Sequence, residues 1–207
     1  TTRRVVEPGG EWRAARVREQ TVFDCEDPEA VLEKRLFGGL AWSANAILMR
    51  KRIFEAVGGF SRLRVAQDAV LWLKLACVAR IVSAGPEPIC VYRIHAGNHS
   101  SSLFTGRFRP VNSRVVAEAL AWARRHSVPP AKIGLLEKSL VARVLGDNRS
   151  LRAGRQFAPA GAHLAGMLAR HPFLLADGMI RRSAAITVLE GLRLRRPAFP
   201  ASVPEAR

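Results

Sequence analysis

The sequence predicts an α/β fold over residues 1–103, followed by a basic α-helical region over residues 104–207. In the first stretch, apolar runs of strand length at Ala44 to Met49, Ile81 to Ser83 and Ile89 to Ile94 alternate with segments of helical period. From Val111 onward the pattern changes to helices divided by breakers such as Pro129-Pro130 and Pro172. Charge divides with it: residues 1–105 carry 15 Lys/Arg against 11 Asp/Glu, and residues 106–207 carry 18 against 6, giving +4 and +12. A chain of 207 residues with 48% hydrophobic content can fill a core, which excludes wholesale disorder.

The elements follow in order. Arg3 to Val17 reads as two extended segments around Glu7-Pro8-Gly9-Gly10, where Pro presets the turn and Gly permits positive φ. Asp27 caps a helix with Pro28 at its first position, and Gly38-Gly39 stop it. After the expected strand Ala44 to Met49 comes a two-turn helix with Ile53, Phe54 and Val57 on one face, ended by Gly58 in a left-handed cap. Ala66 to Ala79 is the next helix, with Leu71, Leu75 and Val78 on one stripe and Asp68 at the positive end of the dipole. Gly85-Pro86-Glu87-Pro88 forces a turn between the next two strands, and Ala96 to Ser102 is loop. Helices are then expected over Ser113 to His126, Ala131 to Leu145, Phe157 to Arg170 and Leu174 to Arg195, with a polar break at Asn148 to Arg155 and a frayed end from Arg196.

Of the 33 basic residues 28 are Arg. Such an excess either decorates solvated helix faces or draws the second half toward phosphates in lipid, nucleic acid or nucleotide-linked substrates. Cys25, Cys77 and Cys90 are odd in number and far apart, with no Cys-x-x-Cys pair, which fits a reducing cytoplasm. Lys74 and Arg80 interrupt the most apolar segment, so no run reaches the length of a spanning helix. The chain starts Thr1-Thr2-Arg3 without Met or a secretory signal, and a partial protein is expected, cytoplasmic or peripheral at the inner membrane face.

Three segments in fixed order, ANAILMRKRIFEAVGGF from Ala44, AQDAVLWLKLA from Ala66 and EPICVYRIHAGNHSSS from Glu87, resemble the acceptor-side half of a family 2 nucleotide-sugar glycosyltransferase. The resemblance covers residues 1 to about 103 and implies the C-terminal half of a GT-A, Rossmann-like domain with an α-helical tail. It implies inverting transfer of a sugar to an acceptor hydroxyl, with Asp68 as general base and Gln67 where the family has Glu. It further implies acceptor contacts at Gly58, Gly59, Phe60 and Gln67, and a diphosphate clamp at Arg93, His95 and Asn98, with His95 also a metal contact in some members. Arg93 can offer phosphate two parallel hydrogen bonds, and His95, two residues on, shares its strand face. The cofactor implied is Mg²⁺ or Mn²⁺ on an Asp-x-Asp motif. That motif is absent here, since Asp24-Cys25-Glu26 reads as helix entry, so the isolated chain is expected to be inactive.

Each feature has a plainer reading. Gly-Gly-Phe alone is a helix cap plus a core Phe, and a lone His is a structural residue; His95 and His99 suit zinc poorly because Gly97 and the serines make a loop. Two other function classes stand beside the enzyme. A nucleic-acid module has the charge in its favour but only 7% aromatics, a single Tyr at Tyr92 and no recognition motif. A membrane-docking tail is suggested by Leu174 to Arg196, where Leu175, Met179, Ile186, Leu189 and Leu192 interleave with Arg181, Arg182, Arg193, Arg195 and Arg196. A covered bundle helix is the ordinary alternative. The partners expected are a nucleotide-sugar donor, an unidentified sugar, lipid or protein acceptor, and an anionic membrane surface.

Overall fold

The computed structural model describes residues 4–6, 12–14, 28–38, 47–82 and 111–193. Strands β1 (Arg4–Val6) and β2 (Trp12–Ala14) pair antiparallel, with Arg4 opposite Ala14. Every other regular element among the described residues is helical: α1 (Pro28–Leu36), α2 (Lys51–Ala56), α3 (Gln67–Val78), α4 (Asn112–Arg125), α5 (Pro130–Ala153), α6 (Phe157–Arg170), a 3₁₀ helix (Pro172–Ala176) and α7 (Gly178–Arg193). Two compact units result, 1–143 and 144–207, and the boundary between them falls within α5.

The α/β expectation is thereby corrected. Among the described residues there is no parallel sheet and no sheet flanked by helices, so the Rossmann-like GT-A half-domain is not what this chain builds. The described part of the expected strand at Ala44 to Met49 is irregular, and its Leu48 side chain is fully exposed at 101%. Ile81 and Val82 are likewise irregular, with Val82 exposed; the segment Ile89 to Ile94 lies outside the described residues. Apolar runs of four to eight residues do not distinguish strand from coil by periodicity, and a strand needs a ladder partner to satisfy its backbone. Helices supply that satisfaction internally.

In the first unit α3 is the central element, packed against α1 on one side and α4 on another. Enclosure explains why its eight residues Val70 to Cys77 are all buried, far beyond the single stripe that the sequence suggests, while Val78 is half exposed. Burying side chains such as Leu71 and Trp72 contributes about 1.5–3 kcal/mol each. Lys74 falls inside this run. Its ammonium donates to Val57 O at 3.2 Å, just past the C-terminus of α2, and lies 5.9 Å from the Trp122 ring centroid. Lys132, also buried, donates to Cys77 O at 2.5 Å in the last turn of α3, and Arg143 donates to Leu36 O at 2.8 Å, the last residue of α1. Three helix C-termini, each with carbonyls left over and a partial negative charge, are thus closed by cations from elsewhere in the same unit.

The second unit is organised differently. The polar break expected from Asn148 does not occur, because α5 runs through to Ala153 with Asn148 fully buried. Its side-chain N–H donates to Ala160 O at 3.2 Å, and its oxygen accepts from Ser183 Oγ at 2.9 Å. Thr187 Oγ1 stands 3.1 Å from the same oxygen and 2.8 Å from Ser183 O, so its one hydrogen serves either acceptor. Asp177 caps α7 by accepting from the N–H groups of Met179 and Ile180 at 2.9 and 3.0 Å. The sequence merges the 3₁₀ helix and α7 into one element; Asp177 divides them.

Candidate functional site

The turn between α2 and α3 is assembled as the sequence suggests. Gly58 and Gly59 have φ of 75° and 62°, and the Gly58 and Gly59 N–H groups reach back to Glu55 O at 3.0 Å and Phe54 O at 2.9 Å. These two bonds form a Schellman cap, whose left-handed residue is Gly58. A Cβ on Gly59 would stand 3.0 Å from the Phe54 ring, whereas nothing lies within 4 Å of the corresponding position at Gly58. Phe60 follows, half exposed, with its ring edge-to-face against Phe54 at 5.5 Å between centroids.

Two helices pin this turn. Lys74 of α3 holds Val57 O from inside, and Ser61 Oγ donates to Glu118 Oε2 of α4 at 2.9 Å while accepting from Leu63 N–H at 3.0 Å. Burial pulls the Lys74 ammonium below the ordinary lysine value; Glu118 opposes that shift and Arg125 adds to it. The turn is therefore a fixed shelf rather than a loose loop.

Asp68 occupies the first turn of α3, half buried, where its Oδ1 accepts from Ala69 N–H at 2.9 Å; Gln67 beside it is exposed. Ala66, ahead of the helix, adopts a left-handed φ of 58°, a conformation that costs a residue with Cβ about 1–2 kcal/mol. The charge of Asp68 acts on Arg35 of α1. Burial lowers the Arg35 pKa, Asp68 raises it again and Arg143 lowers it further, so these three side chains form one electrostatic cluster. A carboxylate in that position can accept a proton or a hydroxyl hydrogen from a ligand, and it also compensates a partly buried guanidinium.

Arg93, His95 and Asn98 lie outside the described residues, as do Tyr92, His99, Cys25, Cys90 and Asp24-Cys25-Glu26. Among the described residues no group of three His, Cys, Asp or Glu could hold a metal ion. The one Cys described, Cys77, is a buried free thiol whose pKa burial pushes up to about 11, with Lys132 opposing, which makes it a poor nucleophile. Among the described residues no helix is long and apolar enough to cross a membrane.

Sequence reasoning missed Arg35, Lys132 and Arg143, and saw Lys74 only as an interruption. The available signal was a cation at an apolar position of a helix, as Lys74 is within Val70 to Cys77.

No family model, no curated protein and no solved structure matches the chain. The family 2 glycosyltransferase resemblance is corrected accordingly: the fold that the described residues build is helical, and no family match supports that membership. What the fold defines is a class only, a basic chain of packed helices in two units.

Proposed function

We propose that this chain provides the acceptor side of a sugar-transfer reaction, in which Asp68 takes the proton of an acceptor hydroxyl as it attacks a nucleotide-sugar donor with inversion. The observation that carries the reading is Asp68 itself, a carboxylate fixed on the first turn of α3 after a pinned Gly58-Gly59-Phe60 turn. The half-exposed Phe60 ring gives a sugar an apolar face, and the open space over Gly58 admits close approach to backbone. Gln67, exposed beside the base, supplies an amide for a second hydroxyl. Arg93, His95 and Asn98 are assigned to the departing diphosphate on their sequence pattern alone. The cofactor this reading implies is Mg²⁺ or Mn²⁺ on the donor, with His95 assigned to it on sequence pattern alone. The buried free thiol of Cys77 suits a reducing cytoplasm as the place of reaction.

Asp68 has two roles in this reading, base and counter-charge to Arg35, and two variants separate them. Asp68→Asn keeps the acceptor for Ala69 N–H but loses both charge and basicity; in the protein that carries this chain it lowers turnover by about two orders of magnitude or more. Asp68→Glu retains a charge facing Arg35 and so recovers thermal stability, while a base displaced by one methylene recovers little turnover. Undiminished transfer by Asp68→Asn across a nucleotide-sugar panel would remove Asp68 from the chemistry.

A further inference from the structure

The α7 helix buries the stripe Ile180, Ser183 and Thr187, of which two are hydroxyl residues held by Asn148. The opposite face carries Arg181, Arg182, Ala185, Val188 and Leu189, all exposed and spaced three, four and seven residues apart. Val188 is 61% and Leu189 57% exposed, and Met179 at the start of the helix is 63%. Beyond the buried Ile180 this helix turns two hydroxyls inward and Val188 and Leu189 outward, which departs from the usual arrangement for a solvated surface.

Charge decides what such a face fits. Residues 144–193 contain seven arginines, at 149, 152, 155, 170, 181, 182 and 193, against Asp147, Asp177 and Glu190. All three acids are turned to internal use. Asp147 is 1% exposed, Asp177 caps α7, and Glu190 accepts from Arg152 at 2.7 and 3.1 Å. Arg149, Arg155, Arg170, Arg181 and Arg182 are exposed, and Arg181 and Arg182 share the face of α7 on which Val188 and Leu189 protrude.

We infer that the outer face of α7 docks on an anionic lipid bilayer, with Val188, Leu189 and Met179 entering the headgroup boundary and Arg181 and Arg182 contacting lipid phosphates. Apolar insertion and electrostatic attraction act together in such interfacial helices, and neither requires a span. Arg181 has a second duty, since its guanidinium donates to Leu175 O and Ala176 O at 2.6 and 3.1 Å. Arg182 is therefore the cleaner site for testing charge. The inference is independent of the sugar-transfer reading, because it rests on residues 144–193 and uses neither Asp68 nor the Gly58-Gly59-Phe60 turn.

The test is cosedimentation of the full chain with vesicles of phosphatidylcholine alone or with about one-third phosphatidylglycerol, at low and at physiological salt. The expected result is binding to the anionic vesicles that falls with salt, and at least roughly tenfold weaker binding to the neutral ones. Leu189→Asp and, separately, Arg182→Glu each reduce the anionic partition constant by roughly tenfold or more, with unchanged circular dichroism and without relief by inorganic phosphate. Equal binding to both vesicle types, or wild-type binding by both variants, overturns the inference. So does full displacement by millimolar inorganic phosphate, which would mark a site for the free anion. A concentration-dependent dimer abolished by Leu189→Asp in a chain that ignores vesicles overturns it as well, and assigns the face to a second copy.

Discussion

The two units place the cations of one Arg-rich chain differently. Among the described residues of 1–143 three cations go inward, Lys74, Lys132 and Arg143, each donating to a carbonyl at a helix C-terminus, while Lys34, Lys51 and Lys138 stay exposed. In residues 144–193 the interior holds neutral polar groups around Asn148, Asp147 is buried, Asp177 and Glu190 are bonded within the unit, and arginines and apolar side chains share the outside of α7. The difference shows that net charge alone says little about partners. Lys74, Lys132 and Arg143 serve as internal caps in one unit, whereas in the other Arg181 and Arg182 stand on an exposed face, from which Arg181 also reaches the carbonyls of Leu175 and Ala176.

The comparison breaks most readily at Asn148. Asn148→Ala takes the acceptor from Ser183 Oγ and a side-chain donor from Ala160 O, while Thr187 Oγ1 still donates to Ser183 O; the loss of stability is about 2–4 kcal/mol, roughly 1–3 for the unpaired hydroxyl and about 1 for the bond to Ala160 O. Chemical denaturation followed by a probe in the second unit should show it. A loss below 0.5 kcal/mol would mean that water already serves these groups.

Alkaline titration sharpens the picture of the first unit. The folded-state pKa of Cys77 is raised from 9.0 to about 11, so above pH 9 the folded chain keeps a proton that the unfolded chain releases. Stability therefore falls between pH 9 and 11, by about 2–3 kcal/mol over the full shift. Lys74 works in the other sense, because a lowered folded-state value means that stability rises as pH climbs through that value toward 10.5. The informative quantity is thus the difference between wild type and Cys77→Ala, which should carry the falling slope alone. Parallel pH profiles for the two proteins would place Cys77 in contact with solvent.

Smaller effects follow at the turn and on α7. Gly58→Ala meets no steric obstacle but imposes φ of 75° on a residue with Cβ, a cost of about 1–2 kcal/mol. Leu189→Asp alters an exposed position and should change stability by no more than about 0.5 kcal/mol, read from a thermal melt. A larger destabilisation there would show that α7 is covered within its own unit.

Helix punctuation was legible in the sequence because the capping chemistry is local. Gly58 ends α2 in the left-handed region, the stop at Gly38 has its N–H on Lys34 O at 2.9 Å, and Phe157 to Arg170 has the bounds that its periodicity suggests. The strand at Ala44 to Met49 was misread because a short apolar run carries no information about a ladder partner. Asn148 to Arg155 was misread as a break because local polarity does not reveal that Ser183 and Thr187, 35 and 39 residues away, will meet Asn148. Of the candidate site, Asp68 and the Gly-Gly-Phe turn were visible as pattern. Their coupling to Arg35 and Glu118 depends on tertiary neighbours that spacing does not encode.

The inward placement of cations in the first unit is tested most directly by the reactivity of the five lysines toward an amine-modifying reagent, followed site by site with mass spectrometry. Lys34, Lys51 and Lys138 are exposed, whereas Lys74 and Lys132 are buried and bonded to helix carbonyls. The account predicts fast modification at the first three and at least roughly 100-fold slower modification at Lys74 and Lys132, since an opening that costs about 3 kcal/mol must come first. Modification of Lys74 and Lys132 at the rate of Lys51 in the folded chain would contradict it.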